Sequence, residues 1–235
     1  MRTTSQILTT IDAVDDGRPL PELLCVDCDE ALGLSGSAMS LMNDAGHQGV
    51  IGCSGPLAGQ LEELQFELGE GPSLDASRSN RPVLRPDLAG ALSQWPGFAP
   101  AALGAGVQAV FAVPLQVDAI RLGSLCLYRS AHGALDDGEA MTTVAYADAA
   151  VAVLLRLQAG AGGAAALPPE LGRPLEYRAE VHQATGFLSV QAAVGLPEAL
   201  LLLRARAFSS DRPLLQVARD VLSGRIRILR GDEDD

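Results

Sequence analysis

Cysteine and histidine are the residue types here most suited to metal or redox chemistry, and their spacing is the first test. Cys25-Val26-Asp27-Cys28 has the Cys-x-x-Cys spacing of a zinc knuckle or a thiol pair. A structural zinc needs four ligands, and no second Cys or His pair follows at the usual distance. The pair lies on Leu20 to Leu34, which reads as a helix with Leu20, Leu23, Leu24, Cys28 and Leu32 along one face. Two cysteines three apart on it are read first as small apolar side chains of a packed helix. Cys126 falls inside the apolar run Ser124 to Tyr128, where burial is expected. His47, His132 and His182 are scattered, without an HExxH-like pairing. No metal site and no cofactor is expected. Gly104-Ala105-Gly106-Val107-Gln108-Ala109 loosely fits a dinucleotide fingerprint, but it precedes a strand instead of following one. Ser35 and Ser54 have Gly neighbours without the full nucleophile-elbow pattern. No nucleophile, base and orienting group can be assembled, so the sequence predicts no enzyme.

A second constellation is basic. Arg178, His182, Thr185 and Ser189 recur at helical spacing on a segment read from Pro174 to Val194. Arg204 and Arg206 follow on a second helix, and Arg212 on the turn after it. Gln183 and Gly186 adjoin the stripe, and Gly186 permits close backbone approach. Such a surface would contact phosphates and unstacked bases of RNA loops; otherwise it is an ordinary solvated face. Phe187 and Phe208 would stack on a base, or at helical spacing pack in a core.

Charge is distributed unevenly. The chain has 235 residues, net charge −12, 48% hydrophobic residues and no Lys. Residues 1–169 hold 8 Arg against 19 Asp and Glu, and residues 170–230 hold 9 Arg against 6. The tail Asp232-Glu233-Asp234-Asp235 is wholly acidic. A basic module behind an acidic one points to an anionic partner for the basic part. No apolar run approaches the roughly 20 residues of a membrane span. Met1 to Asp16 lacks the apolar stretch of a signal peptide, so a cytoplasmic protein without membrane contact is expected.

The elements that must position these residues fall into two groups. Ala159 to Pro169 is rich in Ala and Gly and ends in a double Pro, which reads as a linker. Before it come the Leu20 helix, short strands at Ala38 to Met42 and Val50 to Cys53 joined around Asn43 to Gly46, and a helix from Pro56 to Leu68. Gly69-Glu70-Gly71-Pro72 must turn. Val83-Leu84 is a short strand, and Trp95 to Gly104 a short helix. Val107 to Leu115 and Ile120 to Tyr128 read as an antiparallel pair. Asp136 to Gln158 is a long helix with an apolar stripe of Val144, Ala147, Val151, Leu154 and Leu155, which is expected to help dimerise the chain. This order argues α+β. Beyond the linker, three helices are expected. The first has core candidates Val181, Ala184, Leu188 and Ala192; the second runs from Leu196 to about Phe208. The third, Pro213 to about Arg225, would bury Leu214, Val217, Ala218, Val221 and Leu222.

Ordered motifs then carry two resemblances. Leu68-Gly69-Glu70-Gly71-Pro72, Arg81-Pro82-Val83, Asp87-Leu88, Trp95-Pro96-Gly97-Phe98, Val113-Pro114-Leu115 and Gly123 to Tyr128 resemble the GAF domains of actinobacterial regulators. His182-Gln183-Ala184-Thr185-Gly186, Glu198-Ala199-Leu200, Leu203-Arg204, Ala207-Phe208 and Arg212 to Ala218 resemble an ANTAR domain, the RNA-binding module of transcription antiterminators. The resemblance implies an α+β GAF domain, an antiparallel sheet flanked by helices, followed by an all-α three-helix ANTAR bundle. It divides the chain into an extension (1–19), a GAF-like sensor (20–158), a linker (159–173), an ANTAR-like domain (174–228) and an acidic tail (229–235). It implies a homodimer that holds paired stem-loops in nascent RNA, so that a terminator hairpin does not form, under control of an unknown small-molecule ligand. Arg178, His182, Gln183, Thr185, Gly186, Arg204, Arg206 and Arg212 are the implied RNA contacts. Phe66, Trp95, Phe98, Phe111 and Tyr128 are candidates to line the ligand pocket, or to pack as core. Many ANTAR domains have Lys where Thr185 stands, Met where Ser189 stands and Ser where Gly195 stands. The cyclic-nucleotide Asn-Lys-Phe-Asp-Glu set is absent. The alternative function is a ligand-sensing or dimerisation and partner-docking module that does not bind RNA.

Overall fold

The computed structural model describes residues 2–43, 46–160 and 172–228, and side chains within them except at 43, 46–48, 160 and 172–178. Most of the 159–173 linker and all of the 229–235 tail lie outside the described residues. The chain forms two compact units, Met1–Gly172 and Arg173–Asp235.

The first unit is built on one antiparallel sheet of five strands, β1 (Gly36–Asn43), β2 (Gly46–Cys53), β3 (Val83–Arg85), β4 (Ala109–Val117) and β5 (Ile120–Arg129), ordered β2-β1-β5-β4-β3. The expected hairpin is β4 with β5, paired from Ala109↔Arg129 to Val117↔Ile120. Side chains alternate across a strand, so each face of the sheet carries its own core. On one face Met39, Phe111, Leu115, Leu125 and Leu127 pack beneath α1 (Thr4–Asp12), α2 (Leu20–Leu32) and α6 (Asp137–Gly160). On the other, Ala38, Val110, Ala112, Cys126 and Tyr128 pack with α3 (Pro56–Leu68), α4 (Pro72–Ser79), a short 3-10 turn at Leu88–Ala91, and α5 (Phe98–Gly104).

Three expectations change. Helix α1 falls in the region read as an extension, yet Ile7 and Ile11 are buried in the first core. Thr3 and Gln6 start it with a capping box. Arg2 then pairs with Asp27 of α2, whose carboxylate accepts a 2.5 Å hydrogen bond from the Tyr146 hydroxyl of α6. Helix α6 is capped by Asp136 and Glu139, whose side chains each accept from the other's backbone N–H at 2.7 and 2.9 Å. Its buried face is not the expected stripe. Tyr146, Ala149, Ala150 and Val153 join Ala147 and Leu154 inside, while Val144 and Leu155 are exposed. The helix is apolar on nearly every side, so sequence period alone does not fix its phase. Asp137–Ala159 is also long and apolar enough to cross a bilayer, contrary to the sequence count, but half of its most apolar stretch is buried inside the protein.

The second unit has three helices, α7 (Gly172–Ala192), α8 (Leu196–Ser209) and α9 (Leu214–Leu222). Val181, Ala184, Leu188, Ala199, Leu203, Leu214, Val217, Ala218 and Val221 are buried. Ala192 is half-buried and Leu222 is exposed, so these two are not core. The Arg219 guanidinium of α9 donates to both carboxylate oxygens of Glu180 on α7, at 2.6 and 3.0 Å.

Candidate functional site

The sheet face beneath α3 and α4 holds a polar cluster inside an apolar core. Helix α3 turns Ala58, Leu61, Glu62, Gln65 and Phe66 inward. Glu62 and Gln65 lie three apart, one helical turn, and so share that face. Gly71 has φ +134°, and a Cβ there would come within 2.5 Å of the Gln65 side chain. That turn brings Ser73, in the first turn of α4, onto Gln65: the Ser73 N–H donates to Gln65 Oε1 at 2.8 Å.

Glu62 is the hub. Its Oε1 accepts from Ser73 Oγ (2.7 Å), Tyr128 Oη (2.7 Å) and Gln65 Nε2 (2.8 Å), and its Oε2 accepts from Ser40 Oγ (2.7 Å). Gln65 Nε2 also donates to Tyr128 Oη at 3.0 Å. Ser40, Glu62, Gln65, Ser73 and Tyr128 are all fully buried. Burial pushes the Tyr128 hydroxyl and the Cys126 thiol well above their ordinary pKa values, and both stay neutral near pH 7. Ser124, opposite Ser40 in the β1–β5 ladder, is fully buried, and its Oγ has no hydrogen-bond partner among the described residues. The next residue back, Gly123, lies so close to β1 that a Cβ there would sit 1.9 Å from the Ser40 carbonyl oxygen.

A second set of contacts closes this side of the unit. Glu70 Oε1 accepts from the backbone N–H groups of Gly97 (2.7 Å) and Phe98 (2.9 Å), where α5 begins. Asp75 Oδ2 accepts from Trp95 Nε1 (3.0 Å) and Gln94 Nε2 (2.8 Å). Trp95 and Phe98 meet edge-on at 6.0 Å. The Leu68-to-Pro72 turn is thus tied through Glu70 to the start of α5, and α4 through Asp75 to Gln94 and Trp95.

No known family profile matches the chain, and no curated protein matches it in sequence. Solved structures do match. The GAF domain of a phosphoenolpyruvate-protein phosphotransferase from Coxiella burnetii is 18% identical with a TM-score of 0.54, the match covering 68% of this chain and 94% of that one. The GAF domain of the Acinetobacter phosphoenolpyruvate-protein phosphotransferase is 12% identical with a TM-score of 0.50, over 68% and 94% of the two chains. The first unit has the GAF fold.

The five aromatic candidates fall on both faces of the GAF sheet. Trp95, Phe98 and Tyr128 share the face of the polar cluster. Phe111 belongs to the opposite core, under Arg129 at 5.7 Å, so it cannot line a pocket with the other three. β4 alternation puts it there, beside neighbours Val110 and Ala112 that point the other way. Phe66 is fully buried on α3. All five are at most 1% exposed. Ser40, Glu62, Gln65, Ser73 and Ser124 escaped the sequence reading. The available signal was Glu62 and Gln65 at inward positions of the α3 period. Cys25 and Cys28 are buried in the other core, where desolvation drives both thiols well above their ordinary pKa. Among the described residues no cluster of three or more His, Cys, Asp or Glu is placed to hold a metal.

In the three-helix unit the expected basic surface divides. The Arg178 side chain lies outside the described residues. Thr185 is 4% exposed, and its Oγ1 donates to the Val181 carbonyl at 2.7 Å. It therefore does not belong to an RNA-facing stripe: a Thr that bonds back one turn satisfies its hydroxyl and packs its methyl inward. Ser189 Oγ likewise donates to the Val194 carbonyl at 2.6 Å. His182 and Gly186 are half-buried, and Gln183 and Arg206 are exposed. Arg204 is half-buried. Arg212 pairs with Asp220, whose carboxylate it holds below the usual range. Phe187 is 49% exposed and Phe208 85% exposed, so neither is core.

Proposed function

We propose that the chain is a signal-responsive transcription antitermination regulator. Its GAF domain senses a small molecule or other signal, and its C-terminal unit acts as an ANTAR-like module. That module binds paired stem-loops in nascent RNA, one copy of the chain per loop, in the cytoplasm. The proposal includes no catalytic step. What supports it is the three-helix unit: Ala184, Ala199, Leu200, Leu203, Ala207, Leu214, Val217 and Ala218 of the ANTAR-like motifs are buried, while Gln183 and Arg206 are exposed. An exposed Arg206, with Phe187 and Phe208 also exposed, supplies groups suited to phosphates and unstacked loop bases.

The test is fluorescence anisotropy with the full chain. The probes are an RNA with two adjacent stem-loops, the same RNA with scrambled loops, and duplex DNA, each at two salt concentrations. Loop-dependent, salt-sensitive binding is expected. Arg204→Ala with Arg206→Ala should weaken it and lower the log–log salt slope by about 1–2. Absence of loop-dependent binding would refute the RNA reading.

A second reading has its own support. Thr185 is buried, Arg212 and Arg219 are held in ion pairs, and Val190, Leu201 and Phe208 expose an apolar surface. These features favour a unit that docks a protein partner.

A further inference from the structure

A cleft opens where α6 passes the edge of β4. β3 pairs only with Val110–Ala112, so among the described residues no strand covers β4 from Val113 to Val117 on that side. The cleft left there has a volume of about 410 Å³, at the small end of ligand pockets. Val113 and Pro114 of β4 form one wall, and Val144 and Val151 of α6 the other. Val113 and Val151 pack against the first core, so the cleft lies across the sheet from the Glu62 cluster. Pro114 has no N–H to give an added strand, which blunts this edge against β pairing and leaves the cleft to a smaller occupant.

The charge of the cleft has one sign. Asp118, in the turn joining β4 to β5, and Asp148, on α6, both line it and are exposed. No Arg or His among the described residues pairs with either carboxylate. The other polar groups that line it, Asn80 and Gln116, are neutral amides. Residues 1–169 hold 8 Arg against 19 Asp and Glu, and a field of that sign draws cations inward. A bare metal ion suits the cleft poorly: among the described residues no third acid, His or Cys joins the pair, and the walls are aliphatic.

Carboxylates on two separate elements, with valine walls, match a cation that carries charge at its ends and methylenes between them. We propose that the cleft binds a linear aliphatic diamine or polyamine. One ammonium sits on Asp118, another on Asp148, and the methylene chain lies over Val113, Val144 and Val151. The Asn80 and Gln116 carbonyl oxygens are acceptors for the remaining N–H groups. Both carboxylates face water, where an ion pair adds little, so the dissociation constant is on the order of 0.1–1 mM at low salt. The inference rests neither on RNA binding nor on a ligand in the Glu62 cluster.

Spermidine titrated into the isotope-labelled full chain, followed by amide chemical shifts, tests it. Saturable shifts should concentrate at residues 113–118 and 144–151. A neutral diol of like length, and butylamine with its single ammonium, should bind at least about threefold more weakly. Raising salt from about 20 to about 300 mM should weaken spermidine several-fold. Asp118→Asn and Asp148→Asn should each weaken it at least about threefold, while Glu30→Gln, at an exposed carboxylate elsewhere, should not. Asn tolerates the φ of +51° at position 118, so melting temperatures should match the parent. Val144→Lys sets a tethered ammonium in the cleft and should abolish binding. Shifts spread over the whole acidic surface, magnesium binding equally well at the same residues, or indifference to the Asp substitutions would each overturn the proposal. So would an affinity that falls as chain concentration rises, which would assign the cleft to a second copy.

Discussion

Replacing Glu62 with Leu should be among the most damaging single changes in the GAF domain, and its size follows from the hydrogen bonds. Leu nearly matches Glu in volume but accepts nothing. Ser40 Oγ, Ser73 Oγ and Tyr128 Oη then lose their acceptor at full burial, while Gln65 Nε2 keeps Tyr128 Oη. Each buried group left unmet costs about 1–3 kcal/mol. Ser40 recovers part of its loss by turning to Ser124 Oγ across the ladder, so the total is roughly 3–6 kcal/mol. A domain is stable by only about 5–15 kcal/mol. Tyr128→Phe removes one donor and leaves Glu62 with three, and should cost about 1 kcal/mol. Trp95 is the chain's one tryptophan and lies in this domain, so its fluorescence reports the unfolding of this domain. In urea, with an m-value of about 2 kcal/mol per M, Glu62→Leu should lower the midpoint by roughly 1.5–3 M and Tyr128→Phe by about 0.5 M. The double variant should be less unstable than the sum, since the Tyr128–Glu62 hydrogen bond is already lost once Glu62 is gone. A Glu62→Leu chain as stable as the parent, or strict additivity, would refute the reasoning.

Three further outcomes are expected. Glu70→Ala removes the acceptor for the Gly97 and Phe98 N–H groups and should cost about 1 kcal/mol in the same urea assay. Asp29 has its pKa raised by burial, so the native state holds its proton more tightly than the unfolded chain. That effect destabilises the native state as pH rises from the unfolded Asp value, about 4, through the raised native value. The melting temperature of Asp29→Asn minus that of the parent should therefore increase from pH 4 to pH 8; a flat difference would count against it. Cys25, Cys28 and Cys126 are buried with raised thiol pKa values, whereas Cys53 is half-buried. A thiol reagent at pH 8 should modify at most Cys53 in the folded chain and all four cysteines in denaturant; rapid modification of three or more in the folded chain would refute the packing.

The GAF domain was legible in sequence where periodicity is strong. The β4–β5 hairpin and helices α2 and α3 follow from alternation and from i, i+3, i+4 spacing. Helix α4 did not show, because Pro72 to Ser79 is short and polar; its Leu74 and Ala76 are buried only once the Gly71 turn lays them on the sheet. Helix α1 carried a readable start, Thr3 with Gln6, and an Ile7–Ile11 pair one turn apart, but its length is below that of a helix stable alone. The buried cluster was hidden for a different reason. Glu and Gln on a helix read as solvent-facing, and only the hydroxyls of Ser40, Ser73 and Tyr128, brought together from two strands and another helix, make their burial tolerable.

The same logic separates the two units. In the three-helix unit the apolar pattern located the core, because burying Val181, Leu188, Leu203 and Val217 requires nothing beyond spacing. The outward residues obey no such rule. Thr185 is polar yet turned inward, held by the Val181 carbonyl, and Phe208 is apolar yet open to solvent. Arg212 and Arg219 are cations whose charge is already engaged by Asp220 and Glu180. A count of arginines therefore overstates the charge this surface presents, and residue type alone understates its apolar character. Discrimination between RNA and protein as its partner rests on the side chains left outward, Gln183, Phe187, Arg206 and Phe208. The Arg204 and Arg206 substitutions would change the salt dependence of phosphate binding, and a purely apolar contact would be insensitive to them.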